Sequence, residues 1–408
     1  MDYQEKPLLR DRNLYLIFGT TILAVMGVAS IAPAFPQMME FFHISKTQVG
    51  WLVAVFTVPG IILAPFMGIL ADRIGRKAIL VPSLLLFGLA GFACMFTRKF
   101  EILLGLRLLQ GIGAVSLGML NVTIIGDLYQ GNRRATAMGY NASVLSLGTA
   151  SYPAIGGTLA VLGWNFPFIL PLLAVPFGLL LIFKLKNPEP KEKQNLRQYG
   201  KNVWKVINQP GVYGLFIMNI LVFFLIYGAY ITYLPSLLKD RMMANSLHIG
   251  ITMSVMSLTT AATSSQIGKI AKRWGSRKIM LAGTGFYIIA MMLLAKAHTW
   301  IVIIPPLLIF GLGQGLFLPT VQTMLVGFAP MKERAAFMSL NSMVLRTGQT
   351  TGPLVMGIAY MLGGLPYVYY SGALFALIMF FIVMILIRHT TDTPNNSVPE
   401  TRSDPKIH

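Results

Sequence analysis

The stretch GILADRIGRKAIL, Gly68 to Leu80, returns 200 residues later as GKIAKRWGSRKIM, Gly268 to Met280. On this register Gly68, Ala71, Arg73, Gly75 and Ile79 are identical, and Lys77 meets Arg277. The same offset sets RRATAMGYNASVLSLG (Arg133 to Gly148) against ERAAFMSLNSMVLRTG (Glu333 to Gly348), matching Arg134, Ala135, Met138, Asn141, Val144, Leu145 and Gly148. So many identities on one unbroken register mark a tandem repeat, and a repeat dictates the architecture before any local detail does.

The composition says what kind of repeat it is. Of 408 residues, 55% are hydrophobic and 12% charged, with a mean hydropathy of +0.66, far outside the range of soluble domains. A helix needs about 20 apolar residues to cross a bilayer, and such stretches recur twelve times between residues 14 and 388. The fifth is expected at 135–160, the seventh at 212–235, the eighth at 248–268 and the eleventh at 335–360. The expected fold is an all-α membrane protein with twelve transmembrane helices in two six-helix, pseudo-symmetric bundles. Residues 1–184 form the first bundle, 185–210 a Lys-rich cytoplasmic linker, 211–390 the second bundle and 391–408 a disordered cytoplasmic tail. Two such halves around a midplane site are the plan of many secondary transporters.

A formal charge of +19 invites a nucleic-acid reading until its distribution is examined. With an even number of spans both termini share one side, and that side carries 25 of the 33 Lys and Arg residues. The opposite loops hold only Lys46, Arg98, Lys99, Lys239, Arg241 and Lys296. By the positive-inside rule both termini are cytoplasmic, so the charge orients the chain in a plasma (bacterial inner) membrane and does not indicate nucleic acid. The single cysteine, Cys94, sits in an apolar segment, which excludes an internal disulfide and a cysteine-based metal site; neither metal nor cofactor is expected.

Several short motifs narrow the class. GILADRIGRK resembles the loop signature of the major facilitator superfamily, and LLGLRLLQGIGA (Leu103 to Ala114) resembles its fourth-span motif. GVASIAPAFP (Gly27 to Pro36) and GQTTGPL (Gly348 to Leu354) are similar to first- and eleventh-span motifs of the twelve-span drug:proton antiporter branch. LGTASYPAIGG (Leu147 to Gly157) resembles that branch's fifth-span motif, with Tyr152-Pro153 where the pattern has Gly-Pro. The resemblance implies a monomeric multidrug efflux protein whose partners are a small-molecule substrate, protons and the lipid bilayer.

The motif residues carry physical expectations of their own. Asp72 lies near helix ends beside Arg73, Arg76 and Lys77, where a carboxylate can cap a helix N-terminus and pair with a base. The family resemblance implies a gating latch of Gly68, Asp72, Arg73, Gly75, Arg76, Lys77 and Asp127, with Asp72 facing the start of the eleventh span and Arg76 reaching Asp127. The alternative is that these charges only flank the membrane. Gly148, Pro153, Gly156 and Gly157 on the fifth span, and Gly348, Gly352 and Pro353 on the eleventh, read as close-packing joints. The fifth span is expected to pack on the eighth by family resemblance. Tyr152 then means either a looser joint or a ring turned towards a cavity.

Arg107 and Arg346 are the charges inside spans, and a charge at membrane depth is a functional hypothesis by default. Arg107 shares a small and polar face with Gly111, Ala114, Gly118 and Asn121, suited to lining a path, or it packs on backbone carbonyls for structure alone. Arg346 is about midway along its span and has Ser146 as its counterpart, so the repeat does not require it. It contacts an anionic or polar substrate group, tunes a proton site, or is structural. No span has a central carboxylate, so proton coupling uses an acid nearer the surface, such as Glu40 or Asp127, or is absent; the family resemblance adds Arg107 as a residue that influences proton transfer. A substrate cavity is expected from Asn121, Asn141, Tyr152, Asn219, Tyr227, Tyr230, Gln314, Asn341, Arg346 and Gln349, with Tyr227, Tyr230 and Tyr233 recurring every three residues; those tyrosines also suit an interfacial belt.

The function these features support is secondary active export of amphipathic organic compounds by proton antiport, with rocker-switch alternating access. The alternative is an exporter or uniporter of an anionic or lipid-like metabolite without strict proton coupling. No GxxxxGK[ST] loop occurs, and no histidine lies deep within a span, so neither direct ATP use nor intramembrane catalysis is expected.

Overall fold

In the computed structural model the described residues are 8–185, 210–328 and 334–386, excluding the side chains at 9, 72, 135, 210, 334–336 and 339. Most of the expected linker and the whole expected tail fall outside them. Nine described helices are long and apolar enough to cross a membrane, and one of these, Leu340–Leu386, contains two rods folded at Gly363 and Gly364. Gly131–Ala160 and Ser246–Ser265 are also long enough, but Gly, Ser and Thr dilute their hydropathy. Together these give the twelve rods expected. The two diluted helices are the fifth and eighth spans, and they face each other, with small residues such as Gly157 and Gly250 at their contact.

The repeat is visible in the geometry. Gly75 ends the second span with φ 101°, and its counterpart Gly275 has φ 72°; both values favour glycine, which explains the matched glycine of the signature. One residue pair further on, Lys77 Nζ donates to the carbonyls of Ile182 and Leu185 at the end of the sixth span. Arg277 Nη2 donates to Met384 O, 3.2 Å away, near the end of the twelfth. Each basic residue therefore caps orphan carbonyls of the last helix in its own half. On the same side, Tyr129 donates to Asp11 Oδ2 at 2.7 Å, and burial with that bond raises the phenol's pKa.

The halves meet along two seams. In the first, Gly157 packs against Ser246 O and the Gly250 backbone, Gly250 lies against Pro153 O, and Ala154 N–H donates to Ser254 Oγ at 3.0 Å. The second seam, between the second and eleventh spans, repeats this through the offset of 200: Gly50 packs on Pro353, Gly357 on Thr47, and Thr57 and Thr350 share a hydrogen bond of 2.8 Å. The outer rim adds Lys46 with Asp240 and Lys239 with Glu40 (3.3 Å), and Lys46 also lies over the Tyr360 ring.

Both seams end part-way through the molecule. Gly139 is 18 residues before Gly157, hence on the same helix face at about 3.6 residues per turn. A Cβ at Gly139 would meet nothing within 4 Å. Gly68 stands 18 residues after Gly50, and a Cβ there would meet only Met119 of its own half, at 3.7 Å. The faces that touch near the predicted outer side have separated near the predicted cytoplasmic side. The seams are closed at the end away from the termini and parted at the end nearer them.

Candidate functional site

Between the joined glycines of the second seam and the open face at Gly68, Arg346 meets the second span. Its stem crosses Gly60 of the second span so closely that a Cβ there would lie 2.8 Å from Arg346 Cδ. Outward of this level stand Thr57 and Thr350; inward of it the seam opens. Arg346 is half-buried, and its Nη1 donates to Gln349 Oε1 at 3.1 Å on its own helix. Tyr227 of the seventh span, also half-buried, is within electrostatic reach of the guanidinium. Arg346, Gln349 and Tyr227 thus converge at the closed end of an inward-facing opening. Sequence reasoning missed Gly60, whose only signal is a glycine within an otherwise bulky apolar stretch.

Arg107 is built differently. It is 0% exposed. Its Nη1 donates to Gly27 O (2.8 Å) and Gln110 Oε1 (2.6 Å), its Nε donates to Leu52 O (3.2 Å), and its guanidinium lies 4.2 Å from the Phe56 ring centre. The first span supplies the acceptor by breaking. Pro33 interrupts it between Arg12–Ala29 and Phe35–Phe42, and Ile31 N–H turns to Val28 O, which leaves Gly27 O to Arg107. Gly111 lets the fourth span touch the Phe56 backbone beside it. Of the two expectations for Arg107, packing on backbone carbonyls is the one observed.

The four asparagines expected in the cavity are buried elsewhere. Asn121 Nδ2 donates to Thr21 Oγ1 (3.0 Å), which donates to Asn141 Oδ1 (2.5 Å), tying the first, fourth and fifth spans. Asn219 Nδ2 donates to Asn341 Oδ1 and Asn341 Nδ2 to Gln322 Oε1, both 2.9 Å, tying the seventh, eleventh and tenth. These are tethers centred on the repeat-related pair Asn141 and Asn341, in the manner of polar groups between membrane helices. Gln314 is half-buried on the tenth span with Oε1 unpartnered.

The tyrosines do not share a face. Residues Phe224–Tyr233 form a π-helix, which has more residues per turn than an α-helix, so a spacing of three no longer brings side chains close to alignment. Tyr227 faces Arg346, buried Tyr230 donates to Met253 O at 2.7 Å and stacks on Phe310, and buried Tyr233 stacks on Tyr360. The Thr232 hydroxyl accompanies the altered register by donating to Tyr227 O, five residues back. Tyr152 is 6% exposed, with its ring beside Gly148 on its own helix, so its ring does not line the opening. Gly156 packs on Ser30 O, and Gly148 on Val25, so the fifth span also abuts the first. Gly348 and Gly352 pack the eleventh against the seventh in the same way.

Of the latch residues, Arg76 reaches Asp127 at 3.1 Å within the first half, and this pair coexists with the closed outer side. Arg73 is exposed, Lys77 is a helix cap, and the Asp72 side chain lies outside the described atoms. Among the described residues no cluster of ligands for a metal is found.

The comparisons with known proteins agree with this architecture. The family model of the Major Facilitator Superfamily matches residues 17–243 and 238–407. The chain is 25% identical to the bacillibactin exporter of Bacillus subtilis (strain 168), over 92% of this chain and 96% of that protein. It is 26% identical to multidrug resistance protein 1 of the same organism, over 86% and 90%. Its fold superposes with a TM-score of 0.75, at 16% identity and over 93% and 98% of the two chains, on a bacterial homolog of the human lysosomal transporter Spinster solved in an inward-facing, occupied conformation. The chain therefore belongs to the Major Facilitator Superfamily, and it is a multi-pass membrane transporter, not an enzyme.

Proposed function

We propose that this transporter exports amphipathic, drug-like organic compounds from the cytoplasm in exchange for protons, by rocker-switch alternating access, as a monomer in the plasma membrane with both termini cytoplasmic. The observation that carries the reading is the pair of seams that are closed outside and parted inside, with Arg346 at the point of parting. Two bundles, residues 1–184 and 211–390, rock about the small-residue faces, joined by 185–210 and followed by the tail 391–408. In the opposite state Gly68 and Gly139 meet the partner half as Gly50 and Gly157 do here, and Asp72 docks at the start of the eleventh span. Likeness to a protein named for multidrug resistance supports a broad substrate range.

Protons enter through carboxylates whose partners change between states. Glu40, paired with Lys239 across the halves, and Asp127, paired with Arg76, are the two candidates; Arg107, held by Gly27 O and Leu52 O and sealed from solvent, ties the first, second and fourth spans together. The test is purified protein in proteoliposomes loaded with a pH dye, with norfloxacin, ethidium and pyrenebutyrate offered in turn. Movement of any one accompanied by opposite proton flux supports antiport. Movement of a compound with no proton flux at any gradient removes the coupling, and no movement of any of the three removes the export reading for this substrate range.

A further inference from the structure

We propose that Arg346 is an anion anchor: the compounds this transporter prefers carry an oxyanion, a carboxylate or a similarly charged acid group, which docks on its guanidinium. The assignment deepens the export reading and rests on it for the direction of travel; the binding claim is separable. Four observations lead to it. Arg346 lies where the seam parts, so a ligand entering from the open side meets it at the end of its path. Its one described partner is the neutral Gln349 Oε1, and the rest of the guanidinium fork is free to accept a bidentate acid. Its described neighbours are Gly60 from the second span, Tyr227 from the seventh and Gln349 from its own helix, none of them acidic. No span carries a carboxylate at its centre, so nothing deep in the membrane neutralises the charge.

Charge then sorts substrates. A permanent cation in this opening meets an unneutralised like charge in a low-dielectric setting, which disfavours it, while an acid replaces lost hydration with charge-assisted hydrogen bonds. Tyr227 and Gln349 supply a phenol and an amide for further polar groups on the ligand. Its apolar body is left to flexible, half-buried methionines of the bundles, which adapt to varied shapes.

The test is equilibrium binding to the full-length protein in phosphatidylcholine nanodiscs, with empty-disc subtraction. The probes are pyrenebutyrate and its uncharged methyl ester. Wild type is expected to bind the acid more tightly than the ester by roughly tenfold, the scale of a charged hydrogen bond. Arg346→Gln should erase that preference while leaving ester affinity within about twofold, and Arg346→Lys should restore part of it, since an ammonium keeps the charge but not the fork. Absence of a preference for the acid in wild type overturns the proposal, as does equal weakening of both probes in Arg346→Gln. If phosphatidylglycerol in the disc displaces pyrenebutyrate, the site takes lipid headgroups and the assignment to small acids fails. Arg346-dependent acid binding without any transport in proteoliposomes leaves the anchor standing and removes the exporter reading instead.

Discussion

Two arginines sit inside the membrane portion of this protein, and their surroundings could hardly differ more. Arg107 is sealed, with carbonyls from two other spans and a glutamine side chain on its guanidinium and an aromatic ring beneath it. Arg346 is half-exposed, holds one side-chain bond, and rests on a glycine of the other half. The lesson is that a charge inside the membrane can read a ligand only where its spare hydrogen-bonding capacity is accessible: Arg107 keeps an unpartnered Nη2, but it is buried. Where the backbone has been bent to hold the group and seal it, as the first span is bent near Pro33 to present Gly27 O, the charge is an architectural bolt.

The sharpest way to break this comparison is to make one substitution at both sites. Arg107→Leu strands Gly27 O, Leu52 O and the Gln110 amide in a closed interior, at a cost of about 3 kcal/mol or more. Little folded protein should survive detergent extraction and size-exclusion chromatography. Arg346→Leu strands only a half-exposed amide, so its melting temperature should stay close to that of wild type. Equal losses for the two variants would show that Arg346 is a bolt as well.

A smaller effect is expected from the glycines beneath each arginine. At Gly111 a Cβ would strike the carbonyl of Phe56, which is helix backbone and cannot yield; at Gly60 the nearest atoms belong to the flexible Arg346 side chain. Gly111→Ala should therefore destabilise by about 1–3 kcal/mol, read as a lowered melting temperature. Gly60→Ala should leave melting nearly unchanged and weaken pyrenebutyrate binding by moving the guanidinium. Loss of stability in Gly60→Ala without change in binding would contradict the arrangement described.

The repeat made much of the fold legible. The offset that pairs Gly75 with Gly275 and Asn141 with Asn341 also pairs the two seams, because the same small residues are needed wherever helices of opposite halves meet. Polar residues were harder to place. An asparagine at membrane depth reads the same in sequence whether it lines a cavity or ties two helices, and only the arrangement around Asn121 and Asn219 shows the second. The spread of Tyr227, Tyr230 and Tyr233 was hidden because a π-helical run leaves no periodic signature to separate it from α-helix. The contrast between Arg107 and Arg346 was illegible for a related reason: each is a lone charge in an apolar run, and the difference lies in carbonyls from other spans.

A further step converts one site into the other. Gln349→Glu places a carboxylate within reach of Arg346, filling the vacancy from within, while Gln110→Glu adds one beside an arginine that is sealed from solvent. The first should abolish the preference for pyrenebutyrate over its ester with folding retained. The second should leave that preference intact. If Gln349→Glu kept full acid selectivity, the guanidinium would not be the group that reads the charge.

The smallest effect is expected at the outer rim. Glu40 and Asp240 are equivalent through the repeat, and each pairs with a lysine of the other half, Lys239 and Lys46. Both pairs are solvent-accessible, so each contributes about 0.2–1 kcal/mol. Against an equilibrium between inward- and outward-open forms, that limits Lys46→Ala to a shift of about fivefold or less. Distances between spin labels on the outer ends of the second and seventh spans report the populations. Lys46→Ala should raise the outward-open fraction modestly, and more at low than at high ionic strength, since screening has already weakened the pair in salt. Lys46→Asp combined with Asp240→Lys should return the wild-type distribution. A shift much beyond fivefold, or one insensitive to salt, would mean that the closed state is held at its rim and not along the glycine seams that end at Arg346.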